Sequence, residues 1–162
     1  AGVPPSRDGL LRSVITSIDS LISTAFDVGV IWDGEVDSKV RTGLTKGIVD
    51  AGIRLKEYTG VLAAKEAGTD LVLSVKLDAT KATKTSTIGS KEYTFSNVDW
   101  VLSVNALDPA TEQIIDSLVQ RDRISDMDEN NANNRMVSKI LQTHAPNVSS
   151  WVYKLIFQPE GK

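Results

Sequence analysis

"AAKEAGTDLVLSVKLDA" (63–79) is the stretch on which the fold turns. A short helical run stops at Gly68, and an apolar strand begins two residues later at Asp70. Glycine readily adopts the left-handed conformation that closes a helix. The chain therefore passes straight from helix to buried strand. Over 70–85, Leu71, Leu73, Val75 and Leu77 take one face of the strand, and Val72 adds to the other.

Working upstream, "TGVLAAKEAG" (59–68) is the short helix and "IRLKEY" (53–58) the strand before it. Residues 33–52 return to helical spacing through Val36, Val40, Leu44 and Ile48, and close on Gly52. "FDVGVIW" (26–32) is short, β-branched and aromatic, and reads as a strand. Leu10, Leu11, Val14, Ile15, Ile18, Leu21, Ile22 and Ala25 predict a helix over 10–25, added to the domain and N-capped by Asp8. Residues 1–9 read as a linker or tail.

Working downstream, "STIGS" (86–90) predicts a turn and 91–107 a long strand. Trp100, Leu102, Val104 and Ala106 share one face, whereas Tyr93 and Phe95 have the opposite parity. A bulge over 96–98 would restore the phase. "DPAT" (108–111) is a turn. In 112–124 the spacing of Ile114, Ile115, Leu118 and Val119 suits a helix, but a turn directly after a long strand favours a hairpin partner, so a strand is expected. Residues 125–134 read as a polar loop. Met136, Val137, Ile140 and Leu141 begin a final helix, Pro146 interrupts it, and Val148, Trp151, Val152, Leu155 and Ile156 resume it. Residues 158–162 are a tail.

The expected fold class is thus α/β (α+β), a single domain over 10–157 in the order α-β-α-β-α-β-β-β-α. It has a mixed sheet of about five strands with helices packed on it.

The 162 residues are 41% hydrophobic, enough for one domain with a true core. The net charge of −3 offers no basic field for nucleic acid, so no nucleic-acid partner is expected. No stretch approaches the roughly 20 apolar residues of a membrane span. Cysteine is absent, which removes disulfides and thiolate chemistry and fits periplasm and cytosol alike. The chain starts at Ala1, not at a methionine. That reads as a processed or truncated chain, with a lipid anchor upstream left open.

Chemistry-bearing patterns are sparse. His144, the lone histidine, precedes Ala145 and Pro146 without a nucleophile motif, and reads as a surface or helix-end residue. Asp126, Asp128 and Asn130 alternate like the start of a calcium loop, but Asn131 and Val137 stand where glycine and glutamate are needed. Capping of a helix by Asp128 is the simpler reading. Carboxylates such as Asp122 and Asp126 lie in polar surroundings that would not tune an acid–base pair. Phosphate-loop patterns are missing, so no cofactor, metal or catalytic residue is expected and the chain reads as a non-enzyme.

Residues 76–95 carry Lys76, Lys81, Lys84 and Lys91 beside Tyr93 and Phe95. As a hairpin this is either a solvated edge whose lysines oppose aggregation or a partner-binding arm. Trp32, Trp100 and Trp151 lie on apolar patterns and read as core. Trp151, after Pro146, is the one expected to be partly exposed, and with Tyr153 and Phe157 would form a docking patch. The candidate partner-binding residues are Lys81, Lys84, Lys91, Tyr93, Trp151 and Tyr153.

Ala67, Gly68 and Asp70 ahead of the core strand, with Leu107, Asp108, Thr111, Ile114 and Ile115 in the hairpin, resemble the α/β domain at the amino end of TolB. This domain type also occurs in CsgG, in LpoB and in the middle domain of FlgT. The resemblance spans roughly residues 26–157. Thr69 stands where the pattern has alanine, and Ser74 lies nearest to a missing glycine. The resemblance implies a bacterial protein, periplasmic or outer-membrane-associated and lipoprotein-like. It further implies a non-catalytic module binding other envelope proteins during assembly. The alternatives are a structural subunit domain of an oligomeric outer-membrane-associated complex, which would make the chain a homo-oligomer, and an enzyme with an unrecognised site.

Overall fold

The structure, a computed structural model, describes residues 26–158. The expected linker 1–9, the helix 10–25 and tail residues 159–162 lie outside the described residues.

The elements run β1 (Asp27–Asp33), α1 (Ser38–Asp50), β2 (Arg54–Glu57), α2 (Val61–Glu66), β3 (Leu71–Ile88), β4 (Lys91–Leu107), β5 (Ile114–Asp126), α3 (Glu129–Lys139), a π-helical turn (Ile140–His144) and α4 (Ala145–Phe157). All five strands form one sheet in the order β2-β1-β3-β4-β5. β1 is parallel to both of its neighbours, whereas β3, β4 and β5 form an antiparallel meander. This is the expected mixed sheet with helices packed on it, and the strand expected over 112–124 is β5, from Ile114 to Asp126.

Gly68 has φ +77°, in the left-handed region where a side chain would be strained. The Gly68 and Thr69 amides donate to the carbonyls of Lys65 and Ala64 at 3.0 and 3.1 Å. These bonds satisfy the end of α2 and aim the chain into β3.

The core lies on one face of the sheet, here the helix face. Val28 and Val30 of β1, Leu71, Leu73 and Val75 of β3, and alternate β4 residues from Val98 to Ala106 all point there. They meet Val40, Leu44 and Ile48 of α1, Met136 of α3, Ile140 of the π turn, and Val148 and Val152 of α4. Each of these aliphatic side chains contributes about 1.5–3 kcal/mol by leaving water. On the opposite face, among the described residues, the 58–69 segment covers the parallel strands. A Cβ on Gly29 would stand 2.9 Å from the Tyr58 ring and 3.2 Å from the Thr69 methyl, so this close approach requires glycine. Over β3 beyond Ser74, β4 and β5, no helix among the described residues packs on that face, the open face of the sheet.

The structure corrects five local expectations. Helix α1 starts at Ser38, after its N-cap Asp37, whose carboxylate accepts from the Lys39 amide at 2.8 Å. β3 continues through Ile88, so the turn shrinks to Gly89 and Ser90. No bulge interrupts the β3–β4 register over 96–98. The irregularity falls instead between Ala106 and Leu107, against β5. The polar loop 125–134 is mostly ordered: β5 reaches Asp126, and Asp128 caps α3 by accepting from the Asn130 amide at 2.8 Å. Pro146 does not break the final helix. It sits at the join of the π turn and α4, where the chain stays helical without a gap and the π turn absorbs the change of phase.

Candidate partner-binding surfaces

The β3–β4 hairpin outruns the rest of the sheet. β1 leaves β3 at the Asp33–Lys76 pair, and β5 leaves β4 at the Asp126–Ser96 pair. From Lys84–Phe95 to Ile88–Lys91 only two strands remain. This arm projects roughly 17 Å at the usual rise per residue.

Strand parity sorts the lysines. Lys84, Ser86 and Ile88 pair with Phe95, Tyr93 and Lys91, and all six side chains share the open face. Tyr93 and Phe95 are half-buried among neighbours on the arm, while Ile88 is 63% exposed. Three candidates, Lys84, Lys91 and Tyr93, thus come together, joined by Phe95 and by Ile88, which the sequence reading had assigned to the turn. Lys81 is separated from them. Its parity places it on the helix face, where its Nζ lies 3.4 Å from Glu129 Oε1 of α3. Toward the body the open face continues as a shallow concavity of about 480 Å³ lined by Asp78, Thr80, Asp99, Val101, Arg121 and Arg123. Arg123 grips Asp99 there through Nε and Nη2 at 2.5 and 3.1 Å, which holds the Asp99 carboxyl below its ordinary pKa.

The second expected patch does not form. Residues two apart on a helix point about 200° apart. Trp151 turns toward β5 and donates its indole N–H to Asp116 Oδ2 at 3.1 Å. Tyr153 instead stacks on Phe157, with ring centroids 4.5 Å apart. All three are partly buried against the core. Trp100 is buried as expected, at 1% exposure, whereas Trp32 is only half-buried and donates to Glu57 Oε1 at 2.8 Å.

His144 is the clearest reversal: it is buried, with 8% exposure. The π turn swings it inward, and its Nδ1 lies 2.8 Å from Gln120 Oε1. Its ring meets Trp100 edge-on at 4.7 Å, and its Nε2 lies 3.5 Å from Asp122 Oδ2. Lys139 Nζ reaches the same carboxylate oxygen at 2.9 Å. Bonds from Lys139 and from the Arg123 amide hold the Asp122 carboxyl below its ordinary pKa. A hydroxyl poised as nucleophile does not accompany this cluster among the described residues. These contacts clasp α3, the π turn and β5 together. Asp126 is likewise held low, by the Asp128 amide and then by Arg135 at 3.2 Å, and caps the loop before α3.

The fold and its arm define a class, an α/β domain whose antiparallel half carries a projecting ribbon. No protein-family model and no curated protein matches the sequence. Solved structures do match. A protein of Xanthomonas campestris described by the family model DUF330 shares 9% identity over 86% of this chain and 89% of its own, with a TM-score of 0.52. A minor lipoprotein of Acinetobacter baumannii shares 15% identity over 84% and 95%, with a TM-score of 0.45. TolB of Acinetobacter baumannii shares 13% identity over 80% of this chain and 28% of its own, with a TM-score of 0.42. At these identities the likeness is one of fold, and it does not single out the TolB type. No helix among the described residues is long and apolar enough to cross a membrane.

Proposed function

We propose that this chain is a non-catalytic protein-binding module of the bacterial envelope, and that it captures its partner with the open face of the β3–β4 arm. One observation carries the reading. The arm gathers Lys84, Lys91, Tyr93, Phe95 and the exposed Ile88 on one side of a ribbon that no third strand of the described residues supports. Isolated two-stranded ribbons are marginal in water, and a chain that maintains one presents it to something. Aromatic side chains are enriched in protein-binding surfaces, and lysines around them steer an acidic partner. The envelope placement, periplasmic or outer-membrane-associated, rests on the sequence resemblance of 67–70 and 107–115. The function is not routed through the His144 cluster, because His144 is only 8% exposed and its Nδ1 is tied to Gln120 at 2.8 Å.

The test is capture from an envelope extract by immobilised wild-type chain and by the Lys84→Glu/Lys91→Glu variant. Loss of a specific captured protein, with the thermal midpoint held, supports the reading. Unchanged capture overturns the arm as the binding surface.

A further inference from the structure

The outer edge of β3 can be traced group by group. Tyr58 N–H donates to Val30 C=O at 3.0 Å, so Val30 turns its main chain to β2. Its neighbours Gly29 and Ile31 therefore turn theirs to β3, where they lie opposite Val72 and Ser74. In a parallel ladder each bonds the residues flanking its partner, so the odd residues Leu71, Leu73 and Val75 face β1. The even residues face β4. Past the end of β1, the main chains of Ala79, Lys81, Thr83, Thr85 and Thr87 face no strand of the described residues. No other group among the described residues bonds to them.

β5 shows what a protected edge looks like. The same alternation turns Ser117, Val119, Arg121, Arg123 and Ser125 outward, and every one but Arg121 has a main-chain group covered by a side chain. There Asp116 and Asp122 accept from the Ser117 and Arg123 amides, while Gln120 and Arg135 donate to the carbonyls of Val119 and Ser125. The edge of β3 has no such covers. Charge selects the occupant. Residues 79–91 hold Lys81, Lys84 and Lys91 and no carboxylate. A second copy pairing antiparallel along this edge would set two lysine-bearing strands side by side with no carboxylate over 79–91 of either to offset them.

We infer that the outer edge of β3, over 79–87, takes up an extended, carboxylate-bearing segment of the partner as an added strand. This rests on the proposed function and specifies its partner's chemistry. Main-chain bonds to the five outward residues supply the affinity, and the lysines select acidic side chains.

The probe is a synthetic peptide of about eight residues alternating valine or threonine with glutamate, and beside it the same peptide with lysine for glutamate. The acidic peptide is expected to slow amide exchange at the five outward residues, and the lysine peptide is not. Thr83→Pro removes an outward N–H and leaves the β3–β4 ladder bonds intact, so it should weaken the acidic peptide at least about tenfold. Equal binding of both peptides, or no protection of those amides in the wild-type chain, overturns the inference whatever the fate of the variant. So does a concentration-dependent mass in light scattering with protection of the same amides, because the occupant is then a second copy. Capture from the envelope extract separates the two levels. If Thr83→Pro captures normally while Lys84→Glu/Lys91→Glu does not, the edge fails and the arm stands. If both capture normally, the arm fails with it.

Discussion

The β3–β4 hairpin contains two proteins' worth of behaviour in one ladder. At its base, Leu73 pairs with Ala106 and Val75 with Val104, and alternate side chains of both strands vanish beneath α1, α3 and α4. At its tip, Ser86 pairs with Tyr93 and Ile88 with Lys91, and none of these four residues belongs to the core cluster. The hydrogen-bond pattern is the same; the difference is burial. The base makes the strand pairing stable, and the tip inherits its register from the base. A rigid scaffold thereby presents a surface that could not fold alone.

The largest effect should come from the base. Leu102→Ala removes a fully buried side chain and should destabilise the chain by about 2–5 kcal/mol in urea unfolding. Gly68→Ala forces a Cβ into the left-handed region at the start of β3 and should cost about 1–2 kcal/mol in the same assay. The clasp on β5 should appear as pH dependence. Asp122 has a folded pKa below its ordinary 3.8, so the native state binds its proton less readily than the unfolded chain. That contribution is present above pH 3.8 and is lost as the pH falls through the lower folded value. Asp122→Asn should therefore flatten the acid limb of the urea midpoint between neutral and acidic pH. The smallest effect on stability should come from the tip: Tyr93→Ala should stay within about 0.5 kcal/mol of wild type. A large loss there would erase the distinction between base and tip.

The base was legible in the sequence because burial on one face writes itself as alternation, as in Trp100, Leu102, Val104 and Ala106. The tip was misread for the same reason. Tyr93 and Phe95 break the alternation only if a single face is buried along the whole strand, and a bulge was invoked to restore it. With nothing buried at the tip, no repair is needed. His144 was unreadable for a different reason. Its environment comes from Trp100, Gln120 and Asp122, residues distant in sequence, and from a π turn whose i+5 bonds leave no periodic signature. Trp151 and Tyr153 were grouped by nearness in sequence, although their positions two apart on a helix point them away from each other.

The most direct measurement places a photoreactive phenylalanine derivative at position 93 on the arm and, separately, at position 62. Leu62 is 64% exposed and lies on α2, away from the arm. After irradiation with an envelope extract, a single cross-linked partner band should appear from position 93 and be missing from position 62. Equal bands from the two positions, or a band from position 62 alone, would contradict a function carried by the arm.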